Sequence, residues 1–136
     1  MTISLGDTLH FKVLRGHYDA HLHVVISDPR KDTNGIVVVN LTSVKPGKLV
    51  YQDSSCILQS GDHPFIKRPT WIRYADAKEF SILELDKWLA TGELTKNKPM
   101  PTTALKKIIA GAGFSVHFKN KFKTRLIQHG LIVISN

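Results

Sequence analysis

Five of the seven histidines fall in the first half of this 136-residue chain: His10, His17, His21, His23 and His63. Imidazole exchanges protons near neutral pH, which makes histidine the usual side chain for acid–base work. His63 sits in the turn-forming run Gly61-Asp62-His63-Pro64-Phe65-Ile66-Lys67, between an acid and a proline and just ahead of Lys67 and Arg68. One chemistry uses such a set without a metal. In RNA cleavage, one group takes the proton of the 2′-hydroxyl and another protonates the leaving 5′-oxygen, while cations and hydroxyls stabilise the crowded phosphorane. The residue types for it are present: His63 with His21 or His23 for proton transfer, Thr42 and Ser43 as hydroxyls, and Lys67 and Arg73 as cations. A plain turn at Asp62-His63-Pro64 is the structural alternative.

Other chemistries find less support. His17, His21 and His23, with Asp19 and His63 as further candidates, have the residue types of a three-imidazole metal site, but no zinc-hydrolase signature accompanies them, and no metal or cofactor is expected. No Gly-x-Ser-x-Gly elbow occurs, and Gly111 and Gly113 lack the lysine of a phosphate-binding loop. Cys56, the single cysteine, lies in an apolar stretch where a buried, inert thiol is expected. It excludes an intramolecular disulfide and agrees with a cytoplasmic address.

Short strands must position these groups. The pattern predicts strands over 8–14, 21–27, 35–42 and 54–58, with further short strands over 71–74 and 77–80. On 21–27, Leu22, Val24 and Ile26 share one face, and His21, His23 and Val25 share the other. The β-branched run Ile36–Val39 predicts burial on both faces, and its strand delivers Asn40, Thr42 and Ser43 at its far end. A short helix is expected over 82–90, then a polar linker over 91–101. Next comes a helix capped by Thr102 or Thr103 with Leu105, Ile108, Ile109 and Ala112 on one face, and a last helix from Phe118 carrying Phe122 and Leu126. The fold class is therefore mainly β with C-terminal helices: a closed or partly closed β-barrel domain over 1–93 and a basic helical extension over 94–136.

Charge is distributed unevenly along the chain. The net charge is +8, and residues 94–136 contain Lys96, Lys98, Lys106, Lys107, Lys119, Lys121, Lys123 and Arg125 but no acidic residue. Clustered positive potential suits a polyanion or an acidic protein, so Lys119, Lys121, Lys123 and Arg125 are candidate substrate contacts; a solvated helix face is the alternative. No apolar run approaches the ~20 residues of a membrane span, and no signal peptide is recognisable, so no membrane partner is expected.

Several short motifs resemble the PemK/MazF family of toxin endoribonucleases. Leu5-Gly6-Asp7 opens the first strand, Val24-Val25-Ile26-Ser27 follows a polar loop, and Ile36–Leu41 runs into Thr42-Ser43. His21-Leu22-His23-Val24-Val25 together with residues 61–66 is similar to a divergent branch of that family. The resemblance covers about residues 5–80. It implies an SH3-like barrel, cleavage of single-stranded RNA, a homodimer and an acidic antitoxin. In the better-known branch an arginine before the second strand and a threonine after the third carry catalysis. Thr42 matches the threonine, and His21 stands near the arginine's place. A non-catalytic nucleic-acid- or protein-binding module on the same barrel is the competing expectation.

Overall fold

The computed structural model describes residues 3–14, 21–44 and 53–133. Its elements, in chain order, are β1 (Thr8–Phe11), β2 (His23–Val25), β3 (Ile36–Ser43), β4 (Ile57–Leu58), β5 (Thr70–Phe80), α1 (Ile82–Thr91), β6 (Leu94–Asn97), α2 (Thr102–Phe114) and α3 (Asn120–Gln128). The six strands form one antiparallel sheet in the order β4-β5-β3-β2-β1-β6. It is a mixed α+β arrangement. The sheet is open, with β4 and β6 at its edges, where a closed or partly closed barrel was expected.

Both faces of the sheet are buried, as the β-branched run in β3 requires. Val37, Val39 and Leu41 point with Val24 and Ile26 into a cluster completed by Ile108 and Ala112 of α2 and by Phe122 and Leu126 of α3. Ile36 and Val38 point the other way, with Val25, Leu9 and Phe11, against Leu85 of α1. The alternation expected for residues 22–26 therefore holds, with His23 on the α1 side beside Phe11.

The largest departure from the strand pattern is β5. Val38 pairs with Lys78 but Asn40 pairs with Arg73, so β5 carries an irregularity opposite Val39. An odd offset exchanges the two faces of a strand. Ile72 and Tyr74 consequently face the α2–α3 cluster, whereas Phe80 joins the α1 side. The two short strands expected at 71–74 and 77–80 are one bulged strand.

Residues 91–101, expected as a linker, contain β6, which pairs with β1 along its whole length (Thr8–Asn97 to Phe11–Leu94). Residues 94–136 thus supply a sheet strand as well as the helices that cover one face. Local signals set the helix ends. Ser81 and Glu84 form a reciprocal capping box at the start of α1, and Gly92 ends it with φ of +82°. Pro101, not Thr102 or Thr103, occupies the N-cap of α2, without a side-chain bond.

Close packing of α2 depends on Gly111. A Cβ there would collide with the Tyr74 hydroxyl and would approach Cys56 Cβ to 2.8 Å. Tyr74 is fully buried and its hydroxyl donates to the Ile108 carbonyl at 2.7 Å, so neither partner has room to yield. Gly111→Ala is expected to destabilise the fold by about 1–3 kcal/mol, overpacking outweighing the gain in helix propensity. Urea denaturation would show the midpoint falling; an unchanged or raised midpoint would contradict this packing.

Candidate functional site

The far end of β3 forms one wall of a cleft of about 260 Å³, lined by His21, Leu22, Leu41, Thr42, Ser43, Phe65, Ile66 and Thr70. Cross-strand register accounts for the grouping. Ser43 pairs with Thr70 and Thr42 with Trp71, while His23 pairs with Asn40, which puts His21 alongside Thr42. A bond from Leu41 N–H to the Leu22 carbonyl at 2.9 Å holds the approach of the two strands. The 61–66 turn closes the cleft with Phe65 and Ile66. Three of the residues expected to act together, His21, Thr42 and Ser43, therefore converge, and His21 is half-buried there.

His63 does not join them. It is 1% exposed, and both ring nitrogens are committed to the backbone. Phe65 N–H donates to Nδ1 at 3.1 Å, which puts the proton on Nε2, and Nε2 donates to the Lys98 carbonyl at 2.7 Å. The same carbonyl accepts the Thr8 hydroxyl at 2.6 Å. His63 is therefore a clamp that ties the turn to the chain leaving β6. The proton-transfer role expected for it is corrected on this geometry, because an imidazole without access to solvent or substrate cannot exchange protons with either.

His23 is sealed as well, at 2% exposure, with its ring edge-on to Phe11 at 4.9 Å between centroids. Its Nδ1 is 3.1 Å from the His21 carbonyl. Desolvation lowers its pKa to about 4, an effect reinforced by His21, His10 and Lys78 and only partly opposed by the bond to the His21 carbonyl. Of the two histidines expected to share proton transfer with His63, His23 is thus a neutral core imidazole. Next to it, Asn40 Oδ1 and Thr42 Oγ1 are buried polar atoms without a hydrogen-bond partner among the described residues. Leaving such atoms unsatisfied costs about 1–3 kcal/mol each, and a polar ligand group reaching them would relieve that cost.

The expected cations are dispersed. Lys67 is exposed beside Ile66, on the rim of the turn, with Arg68 exposed next to it. Arg73 bonds Asp76 at 2.9 Å across the β5 irregularity and lies 5.6 Å from the Trp71 ring. It opens onto a different cleft of about 230 Å³, with Asp53, Trp71, Ala75 and His117, and not onto the His21 cleft. Arg125 is held by the Gly35 carbonyl at 2.8 Å, by Glu79 at 2.6 Å and by Asp32 at 3.5 Å. A Cβ on Gly35 would occupy the place of that guanidinium. Lys121 also pairs with Glu79, at 3.2 Å. Arg125 and Lys121 therefore fasten α3 to β5. Lys119 is exposed at the N-cap of α3, and Lys123 is half-buried on the same helix.

The expected inert thiol is Cys56, which is buried, with its pKa pushed up to about 11 by desolvation. His17 and Asp19 lie outside the described residues. Among the described residues no three His, Cys, Asp or Glu side chains group as metal ligands. No helix among them is long and apolar enough to cross a membrane.

Two members of the cleft were not singled out from the sequence. Thr70 reaches it only through its register with Ser43. Phe65 is 61% exposed; the sequence offers the aromatic close to Lys67 and Arg68, and only the structure shows that it faces solvent. No protein-family model matches the chain, and no curated protein sequence does. Its function therefore has to be argued from the cleft.

Proposed function

We propose that the chain binds single-stranded RNA in the His21 cleft and cleaves it as an endoribonuclease by acid–base chemistry without a metal. The observation that carries this reading is the grouping of His21, Thr42, Ser43 and Thr70 around one cleft with the exposed Phe65. Phe65 offers a surface on which a base stacks, a contact worth about 1–3 kcal/mol that any base can make. Lys67 and Arg68 lie next along the chain and supply phosphate contacts.

In the proposed step His21 accepts the 2′-hydroxyl proton. The 2′-oxygen attacks phosphorus, the bond to the 5′-oxygen breaks, and the leaving oxygen takes a proton from the imidazolium or from water. The Ser43 hydroxyl donates to a non-bridging oxygen as charge builds on it, whereas the Thr70 hydroxyl is committed to the Arg68 carbonyl at 3.0 Å. The products are a 2′,3′-cyclic phosphate and a free 5′-hydroxyl. Within this reading the short motifs similar to the PemK/MazF family make the activity toxin-type. A homodimer and an acidic antitoxin are then partners to test for.

A second reading, RNA binding without turnover, is favoured by the burial of His63, which removes one of the two expected proton-transfer groups. Incubation with a labelled single-stranded RNA in excess EDTA separates the two. The first reading expects fragments ending in cyclic phosphate, whereas a salt-sensitive complex with intact RNA would support the second. Neither fragments nor a complex would dismiss both.

A further inference from the structure

A larger cavity, of about 560 Å³, lies along α2, outside the His21 cleft. Ala104, Ile108 and Ala112 turn one side of that helix into the core, and the neighbouring side, carrying Leu105, Ile109, Gly113 and Phe114, forms one wall. Leu131 and Ile132 form the other wall, held in place by the bond from Leu131 N–H to the Leu126 carbonyl at 2.9 Å. Among the described residues, Thr102 and Lys106 bring the only polar side chains to the lining. The groove follows α2 from Thr102 to Phe114, about 18 Å at 1.5 Å per residue, the length of roughly three helical turns.

Two observations say what fits it. Apolar surface runs through the lining to its rim and past it: Phe114 and Val133 in the lining are 79% and 88% exposed, and Val116, outside it, is 86% exposed. A small amphiphile would leave Val116 and the outer faces of the other two in water, whereas a helix laid along the groove reaches the rim. The second is charge. Residues 94–136 have no acidic side chain, and Lys106 and its neighbour Lys107 are in no ion pair among the described residues. A second copy docking face to face would set this all-basic segment against itself, which like-charge repulsion opposes. An acidic partner meets no such penalty.

We propose that this groove receives the apolar face of an acidic amphipathic helix from a partner protein. Apolar side chains at i, i+3, i+4 and i+7 of that helix fill the space between α2 and residues 131–133, and its carboxylates face Lys106 and Lys107. The proposal stands independently of the ribonuclease reading.

A fluorescent synthetic helix of about 16 residues, with leucine on one face and glutamate and glutamine elsewhere, tests it by anisotropy on the full chain. Saturable binding is expected, weakened about tenfold or more when the leucines become serine, and likewise when the glutamates become lysine. Gly113→Leu should weaken it to the same degree by filling the groove, since a Cβ at Gly113 meets nothing nearer than 3.8 Å. Phe114→Ser, at an exposed site, gives the same reading should the leucine variant lose its circular dichroism. Equal binding of the serine peptide would reduce the effect to charge alone and overturn the proposal. So would absence of binding, unchanged binding by both folded variants, or displacement of the peptide by stoichiometric dodecanoate.

Discussion

Replacing His21 by alanine is expected to lower cleavage of single-stranded RNA by about 10²–10⁴-fold, the usual contribution of a positioned acid–base group. The fall should appear in kcat more than in KM, because the imidazole acts on the proton in flight and contributes little to ground-state binding. Unfolding of the variant should stay close to that of the parent, since His21 is half-buried at the cleft and outside both apolar clusters. His63→Ala should do the reverse. It removes a donor to the Lys98 carbonyl and an acceptor for Phe65 N–H inside a sealed turn, so stability falls by about 1–3 kcal/mol. Cleavage by the fraction that remains folded should persist. Equal loss of turnover in both variants, with both still folded, would restore His63 as a participant. Full turnover in His21→Ala would remove the basis of the mechanism.

Acid should destabilise the protein well above the carboxylate range. The folded-state pKa of His23 is lowered from 6.5 to about 4, so between these values the unfolded chain binds the proton that the folded chain refuses. Stability contributed by the neutral ring is therefore complete above about pH 6.5, and is lost as pH falls toward 4. A shift of that size corresponds to about 3 kcal/mol. His129 adds to the loss in the same direction, because burial also lowers its pKa. Glu79 and Asp28, held low by their arginine partners, act in a lower window, where their carboxylates begin to protonate. Chemical denaturation at a series of pH values should show the slope between pH ~7 and ~4, and His23→Gln should flatten most of it. A variant that kept the full slope would place the responsible proton elsewhere.

Much of the local structure was legible because it is written in periodicity and in short-range chemistry. The Ile36–Val39 run is β-branched and continuous, and it is buried on both faces. Leu22, Val24 and Ile26 alternate with His23 and Val25, and the two sets do face opposite ways, whereas His21 lies outside the strand. Phe118, Phe122 and Leu126 recur at steps of four and pack together against the sheet. Each of these depends on residues within one or two turns of one another, which a one-dimensional pattern contains.

What depended on register or on distant partners had to await the tertiary structure. The irregularity in β5 reverses its facing partway along, so two apparent strands are one. Leu94–Asn97 looks like part of a polar linker because an edge strand needs only one partner, and β1 lies some eighty residues earlier in the chain. The basic character of 94–136 is plain from composition, but only packing brings Glu79 and Asp32 to Lys121 and Arg125 and turns those cations into fastenings. The histidines show the same division. Sequence supplies imidazoles with a given proton affinity, and burial then decides which can exchange a proton: His63 is locked by two backbone bonds, His23 is desolvated, and His21 alone of the three opens onto the Thr42–Ser43 cleft.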